Sequence, residues 1–69
     1  GVFMFLVQKK IQTSNGLFKI GAVAENDFMI RFIANGKGST SGKKHFHTVD
    51  EAEAYINLLA VSGFTKADF

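Results

Sequence analysis

Residues 35–47, which read NGKGSTSGKKHFH, contain the densest group of side chains that could bind a ligand. Glycines let backbone N–H groups converge on an anion, and Lys37, Lys43 and Lys44 add positive charge beside three hydroxyl side chains. The segment could therefore grip a phosphate of a nucleic acid or of a nucleotide. The alternative is a solvated loop that joins two strands and is kept soluble by its lysines.

The spacing of these glycines and lysines does not fit the known nucleotide-binding motifs. In a P-loop, G-x-x-x-x-G-K-[ST], Gly36 lies one residue too far from Gly42 and Gly38 one residue too close. Lys44 also occupies the place of the hydroxyl that binds Mg²⁺. The dinucleotide motif G-x-G-x-x-G fails because Gly42 comes one residue late. We therefore expect no nucleotide cofactor, and no other cofactor.

His45 and His47 flank Phe46, so on a strand both imidazoles would lie on the same face. That geometry could supply two metal ligands. A zinc site needs a third or a fourth ligand, and the sequence has no cysteine and no obvious candidate nearby. We expect no metal site, and we interpret the pair as surface histidines beside a basic loop.

No pattern in the sequence indicates an enzyme. Cysteine is absent, there is no G-x-S-x-G motif, and no pair of carboxylates lies at the end of a predicted strand. Ser41, His45 and Asp50 have the right types for a hydrolase triad, but nothing in their spacing positions them. We predict no catalytic residues.

Length and composition predict one small globular domain over residues 1–69. The chain is 46% hydrophobic with eight phenylalanines, and it has no cysteine that could form a disulfide. A domain of this size buries only about 60% of its unfolded surface, so oligomerisation would add useful buried area. The apolar run at 2–7 is too short to cross a membrane and lacks the flanks of a signal peptide. We expect no membrane association and a cytoplasmic location.

Charge is distributed unequally along the chain. Residues 1–47 carry a net charge of +5, whereas residues 48–69 carry −3. Basic residues, among them Lys9 and Lys10, could therefore lie on one side of the molecule, opposite an acidic helix, as in a nucleic-acid-binding protein. Against that interpretation, Arg31 is the single arginine, and arginine is the usual reader of guanine. No RNP-like aromatic signature or helix-turn-helix is visible.

Residues rich in β-branched and aromatic side chains predict an antiparallel meander of three strands. Asn15-Gly16 is a strong hairpin signal, and residues 25–27 have turn chemistry. Residues 35–42 are predicted to hold no regular element, and 43–47 could form a short fourth strand. The three predicted strands are residues 2–11, 17–24 and 28–34.

A helix is predicted to begin after Thr48 and to end at Gly63. Thr48 and Glu51 fit the capping box, in which each side chain accepts a hydrogen bond from the other residue's backbone N–H. Gly63 is a typical residue just beyond a helix end, with Phe64 as its apolar companion. The apolar stripe that should face the sheet is Ala52, Tyr55, Ile56 and Leu59.

The predicted fold is α+β, with a three- or four-stranded antiparallel sheet, one helix on one face, and the order β-β-β-(β)-α. A single helix can cover only one face of the sheet. The second face should then carry Lys19, Arg31, Met29, Ile33 and one apolar set from strand 1. Exposed apolar area of this kind usually marks a contact surface. The alternative is that Phe64 and Phe69 fold back and cover part of it.

We expect a non-enzymatic binding or regulatory module that forms a homodimer and acts by associating with another protein. Small, cysteine-free chains with two differently charged sides are common among regulators from phages and mobile elements. The candidate protein interface is Met4, Leu6, Met29, Ile33 and Leu58. The alternative function is nucleic-acid or nucleotide-phosphate binding through the basic loop, with the candidate residues Lys19, Arg31, Lys37, Lys43, Lys44, His45 and His47.

Overall fold

The computed structural model describes residues 4–35 and 38–63. Four antiparallel strands pair in the order β1-β2-β3-β4, and one helix packs on the sheet. The α+β prediction is confirmed, with four strands. The elements are β1 (Leu6–Thr13), β2 (Gly16–Ala24), β3 (Asp27–Ala34), β4 (Ser39–Ser41) and α1 (Val49–Ser62).

A hairpin forms where Asn15-Gly16 predicts one, but its two-residue turn is Ser14-Asn15, and Gly16 is the first residue of β2 and pairs with Thr13. The Thr13 hydroxyl donates to the Gly16 carbonyl at 3.0 Å and accepts from the Asn15 N–H at 3.2 Å. A Cβ at position 16 would lie 2.3 Å from the Ile33 carbonyl oxygen, so only glycine allows β3 to approach this closely. Because Thr13 pairs with Gly16 across it, this turn sets the register of β1 against β2.

The hydrophobic core lies between one face of the sheet and α1. Alternate residues of β2 and β3 point to the same face, and a helical stripe of α1 covers them. The Phe18 and Phe32 rings contact each other with centroids 4.6 Å apart. Tyr55, at the border of the stripe, is only partly buried and contacts Phe46. The buried residues are Phe18, Ile20, Ile30, Phe32, Ala52, Ile56 and Leu59.

The predicted ends of the helix are confirmed. The Thr48 hydroxyl accepts from the Glu51 N–H at 3.1 Å, and Gly63 ends the helix with a φ of 72°. The Glu51 carboxylate accepts from the N–H of His47 at 3.0 Å, one residue before the position that a capping box predicts. Phe64, its expected apolar companion, lies outside the described residues.

Two predictions about the segment between β3 and α1 were wrong. Residues 35–42 hold β4, which pairs with the second half of β3, whereas residues 43–47 form only an isolated bridge between Phe28 and Phe46. A return at Ser39 closes a shorter loop than a return at Lys43, and a shorter loop loses less chain entropy. Gly42 still donates to the Ile30 carbonyl at 2.7 Å before the chain leaves the strand.

Strand β1 begins at Leu6, whereas the predicted strand began at residue 2. Residues 2 and 3 of the predicted strand lie outside the described residues. Within the described ranges, no helix is long and apolar enough to cross a membrane.

Candidate functional site

The side of the sheet away from α1 carries a mixed set of basic, apolar and hydroxyl side chains, here called the open face. Phe18 and Ile20 point toward the helix, so the residues that alternate with them, and their cross-strand partners, point the other way. The open face consists of Val7, Lys10, Gln12, Leu17, Lys19, Gly21, Val23, Met29, Arg31, Ile33, Ser39 and Ser41.

Three cations lie in one line across the open face, here called the cation row. Lys10 is directly opposite Lys19 in the β1–β2 pair, and Lys19 is directly opposite Arg31 in the β2–β3 pair. Ser41 of β4 is opposite Arg31 and ends the line with a hydroxyl group. Directly opposed side chains in antiparallel pairs have Cβ atoms about 4.5–5.5 Å apart, and like charges at that separation repel.

Among residues 4–35 and 38–63, Asp27 is the only carboxylate whose strand position alternates with the open-face residues of β3, and it lies at the end of that strand, paired with His45. The other described acids lie in α1 or, for Glu25, at the turn between β2 and β3. Glu53 of α1 pairs with Lys9 at 2.7 Å on the helix side, and Asp27 pairs with His45 at 2.6 Å. The described carboxylates therefore leave the cation row as a concentrated positive surface, opposite an acidic helix.

Phe5 lies on the open face beside the cation row. The Arg31 guanidinium carbon is 4.3 Å from the centre of the Phe5 ring, a cation–π contact. The ring also lies over Gly21, where a Cβ would come within 2.5 Å of two ring carbons. Glycine at position 21 is therefore what allows the ring to lie this close to β2.

A shallow groove of about 210 Å³ opens next to this ring. Its lining is mainly apolar, with one guanidinium and one hydroxyl group that could fix the orientation of a ligand. Arg31 belongs both to the groove and to the cation row, so the two features are continuous. The lining residues are Phe5, Val23, Met29, Ile30, Arg31, Ser41 and Gly42.

The predicted anion-binding residues fall into two groups. Lys19 and Arg31 lie opposite each other on the open face, whereas Lys43 and Lys44 are exposed in the connector between β4 and α1. Lys44 Nζ lies 5.6 Å from the centre of the Tyr55 ring, on the helix side of the sheet. Lys37 lies outside the described residues.

The two histidines do not share the face of a strand, because residues 43–47 form none. His45 Nδ1 pairs with Asp27 Oδ1, and the backbone of His47 binds Glu51 at the start of α1. Both histidines therefore help to fix the connector between β4 and α1. Among the described residues, no group of three His, Asp or Glu side chains could hold a metal ion.

The predicted protein-interface residues do not lie together on one surface. Met29 and Ile33 are half-buried on the open face, and Leu58 is 58% exposed on the outer side of α1. Met4 is 72% exposed, and Leu6, 54% exposed, lies opposite Ala22 and so points to the helix side. Strand β1 therefore contributes Val7 to the open face, and Phe5, the residue before the strand begins, also lies there. Phe64 and Phe69, predicted as an alternative cover, lie outside the described residues.

Sequence reasoning missed Lys10, Phe5 and Ser41 as parts of one site. The hairpin signal at Asn15-Gly16 did not give this alignment, because a two-residue turn at 15–16 would place residue 10 opposite residue 21, whereas the observed Thr13–Gly16 pair places it opposite residue 19. Nothing in the sequence placed Phe5 over Gly21, because the register of β1 shifts between Val7 and Lys9.

No protein-family model matches the chain, and no curated protein and no solved structure shows significant similarity to it.

Proposed function

We propose that this protein is a non-enzymatic binding module that holds nucleic acid on the open face of its sheet. The observation that carries the proposal is the cation row, in which Lys10, Lys19 and Arg31 oppose one another directly across three strands. An isolated protein gains nothing from such repulsion, whereas a bound polyanion turns the same charges into attraction.

The dimensions of the row suit a phosphate backbone. Two inter-strand spacings of about 4.8 Å separate Lys10 from Arg31, which gives about 10 Å. A stacked strand carries one phosphate per about 3.4 Å of axis, so the row would meet about three phosphates. Ser41 could donate a hydrogen bond at the end of this line.

The test is a fluorescence-anisotropy titration of a labelled, mixed-sequence oligonucleotide. Three contacts to a single strand predict an affinity loss of about 20-fold between about 50 and 200 mM salt, from a slope near −0.7 per contact. Replacing the row with Lys10→Gln, Lys19→Gln and Arg31→Gln should abolish both the binding and its salt dependence.

The matched control removes the same charge elsewhere, with Lys9→Gln, Lys43→Gln and Lys44→Gln. This variant should bind about as tightly as the natural protein, apart from a modest loss of long-range attraction. The proposal is wrong if the control triple loses binding and the row triple keeps it, because the basic connector would then be the site.

A second candidate function, homodimerisation, has support from the outer side of α1. Ala54, Leu58 and Val61 recur at helical spacing and form an exposed apolar stripe, with Val61 83% exposed. A chain of 69 residues has little core of its own, so a second copy covering this stripe would add buried apolar area. The cytoplasmic location expected for this role stays a prediction.

Size-exclusion chromatography with light scattering tests the dimer. Leu58→Lys with Val61→Lys should convert a dimer to a monomer, while Ser14→Lys, at an exposed position outside α1, should leave the mass unchanged. A monomeric natural protein at the highest soluble concentration would refute dimerisation and leave the stripe for another protein partner.

A further inference from the structure

We propose that the groove beside Phe5 receives an unpaired base, so that the ligand of the open face is single-stranded rather than duplex nucleic acid. This inference rests on the proposed nucleic-acid function and specifies its substrate class. It follows from the position of one aromatic ring, the size of one groove and the width of the sheet.

The Phe5 ring can act as a stacking platform. The ring packs against β2 at Gly21 and has the Arg31 guanidinium carbon 4.3 Å above its centre, so an incoming base would stack on the pair formed by the ring and the guanidinium. Aromatic side chains stack with any base because every base has a π face, and a neighbouring arginine adds a cation–π contribution. The ring therefore offers binding without a sequence preference, next to charges that bind the backbone.

The groove has the size and the chemistry for one base. Its volume of about 210 Å³ is smaller than a site for a drug-sized ligand, about 300–1,000 Å³, and suits one planar ring system. Val23 and Met29 supply apolar contacts to a base, while Ser41 can bond to its polar edge. Because Arg31 lines both the groove and the row, a base and its own phosphate can be held together.

A duplex does not suit this arrangement. Four strands separated by three spacings of about 4.8 Å give a backbone width of about 14 Å, more than the about 12 Å of the major groove of B-DNA. The open face therefore cannot enter that groove as a helix or a two-stranded ribbon does. Paired bases also keep their π faces inside the stack, where Phe5 cannot reach them.

The experiment compares three ligands in the same anisotropy assay at one salt concentration. They are a mixed-sequence single strand of about 12 nucleotides, an abasic strand of equal length, and the corresponding duplex. Small single-strand-binding domains contact about 4–16 nucleotides, so this length suffices. The single strand should bind about 5- to 140-fold more tightly than the abasic strand, the range expected for one stacked base. Phe5→Leu should remove this preference and leave binding of the abasic strand unchanged.

A second measurement uses the absence of tryptophan from the chain. Phe5→Trp places a single reporter on the open face, and its fluorescence should be quenched by the single strand but not by the abasic strand. Tyr55→Trp, on the helix side, is the control and should respond to neither ligand.

The outcomes separate the two proposals. Equal affinity for the single strand, the abasic strand and the duplex would overturn the base-binding inference and leave the cation row as a backbone-binding site. Failure of all three ligands to bind would refute both proposals.

Discussion

Replacing Lys19 with glutamine should make the free protein more stable while it weakens ligand binding. Lys19 is the middle member of the cation row and faces a cation on each side, Lys10 in β1 and Arg31 in β3. Long side chains can spread their charges to about 7 Å, where two unit charges in water repel by about 0.6 kcal/mol. Two such pairs, partly screened by salt, give a gain of about 0.5–1 kcal/mol for Lys19→Gln.

The assay is thermal unfolding followed by circular dichroism, at about 20 mM and about 500 mM NaCl, where the Debye length falls severalfold. For a domain of this size, a gain of about 0.5–1 kcal/mol corresponds to a rise in Tm of about 2–8 °C at low salt. The difference between variant and natural protein should shrink at high salt, because screening weakens the repulsion in the natural protein.

The matched control is Lys9→Gln, in the neighbouring strand β1 and on the opposite side of the sheet. Lys9 attracts Glu53 at 2.7 Å, so its removal should cost about 0.2–1 kcal/mol, the usual range for an exposed ion pair. The same substitution on the two sides of the sheet is thus predicted to change stability in opposite directions. A Lys19→Gln protein that is no more stable than the natural one, or a gain insensitive to salt, would refute the reasoning.

Two further substitutions test how the site is built. Gly21→Ala would place a methyl group where the Phe5 ring now lies, so it should destabilise the protein by about 1–3 kcal/mol or displace the ring. The measurements are Tm, which should fall, and the preference for the single strand over the abasic strand, which should be lost. An unchanged Tm and preference would contradict the packing of Phe5. Thr48→Ala removes the hydroxyl that accepts from Glu51 and should cost about 1 kcal/mol in urea unfolding, whereas Thr48→Ser should cost little; equal loss in both variants would contradict the capping role.

Local signals in the sequence predicted most of the fold. The first hairpin and the Thr48 cap depend on residues close together in the sequence, so both are visible there, although the hairpin turns at Ser14-Asn15, one residue before the predicted position. The helical stripe is visible for the same reason, although Tyr55 at its border is only partly buried. The choice of Ser39–Ser41 as β4 depended on competition between two segments for the same edge of β3, and composition alone favoured the wrong one.

The candidate site was less predictable because it combines residues from every strand. Arg31 and Lys19 were placed on one face by alternation, but their alignment with Lys10 requires the register of two strand pairs. The position of Phe5 depends on the register shift of β1 between Val7 and Lys9, which no local sequence pattern predicts. Residues 35–47, the glycine- and lysine-rich segment, contribute Ser39 and Ser41 to the open face, while their histidines help to fix the connector to α1.

A ¹⁵N-resolved NMR titration of the protein with the single-stranded oligonucleotide tests the central claim most directly. The account predicts that backbone amide signals of Lys10, Lys19, Arg31 and Ser41 shift with the ligand, while those on the outer side of α1, such as Leu58, stay in place. Shifts confined to α1 or to the connector at Lys43 and Lys44, with the strands unaffected, would contradict binding on the open face.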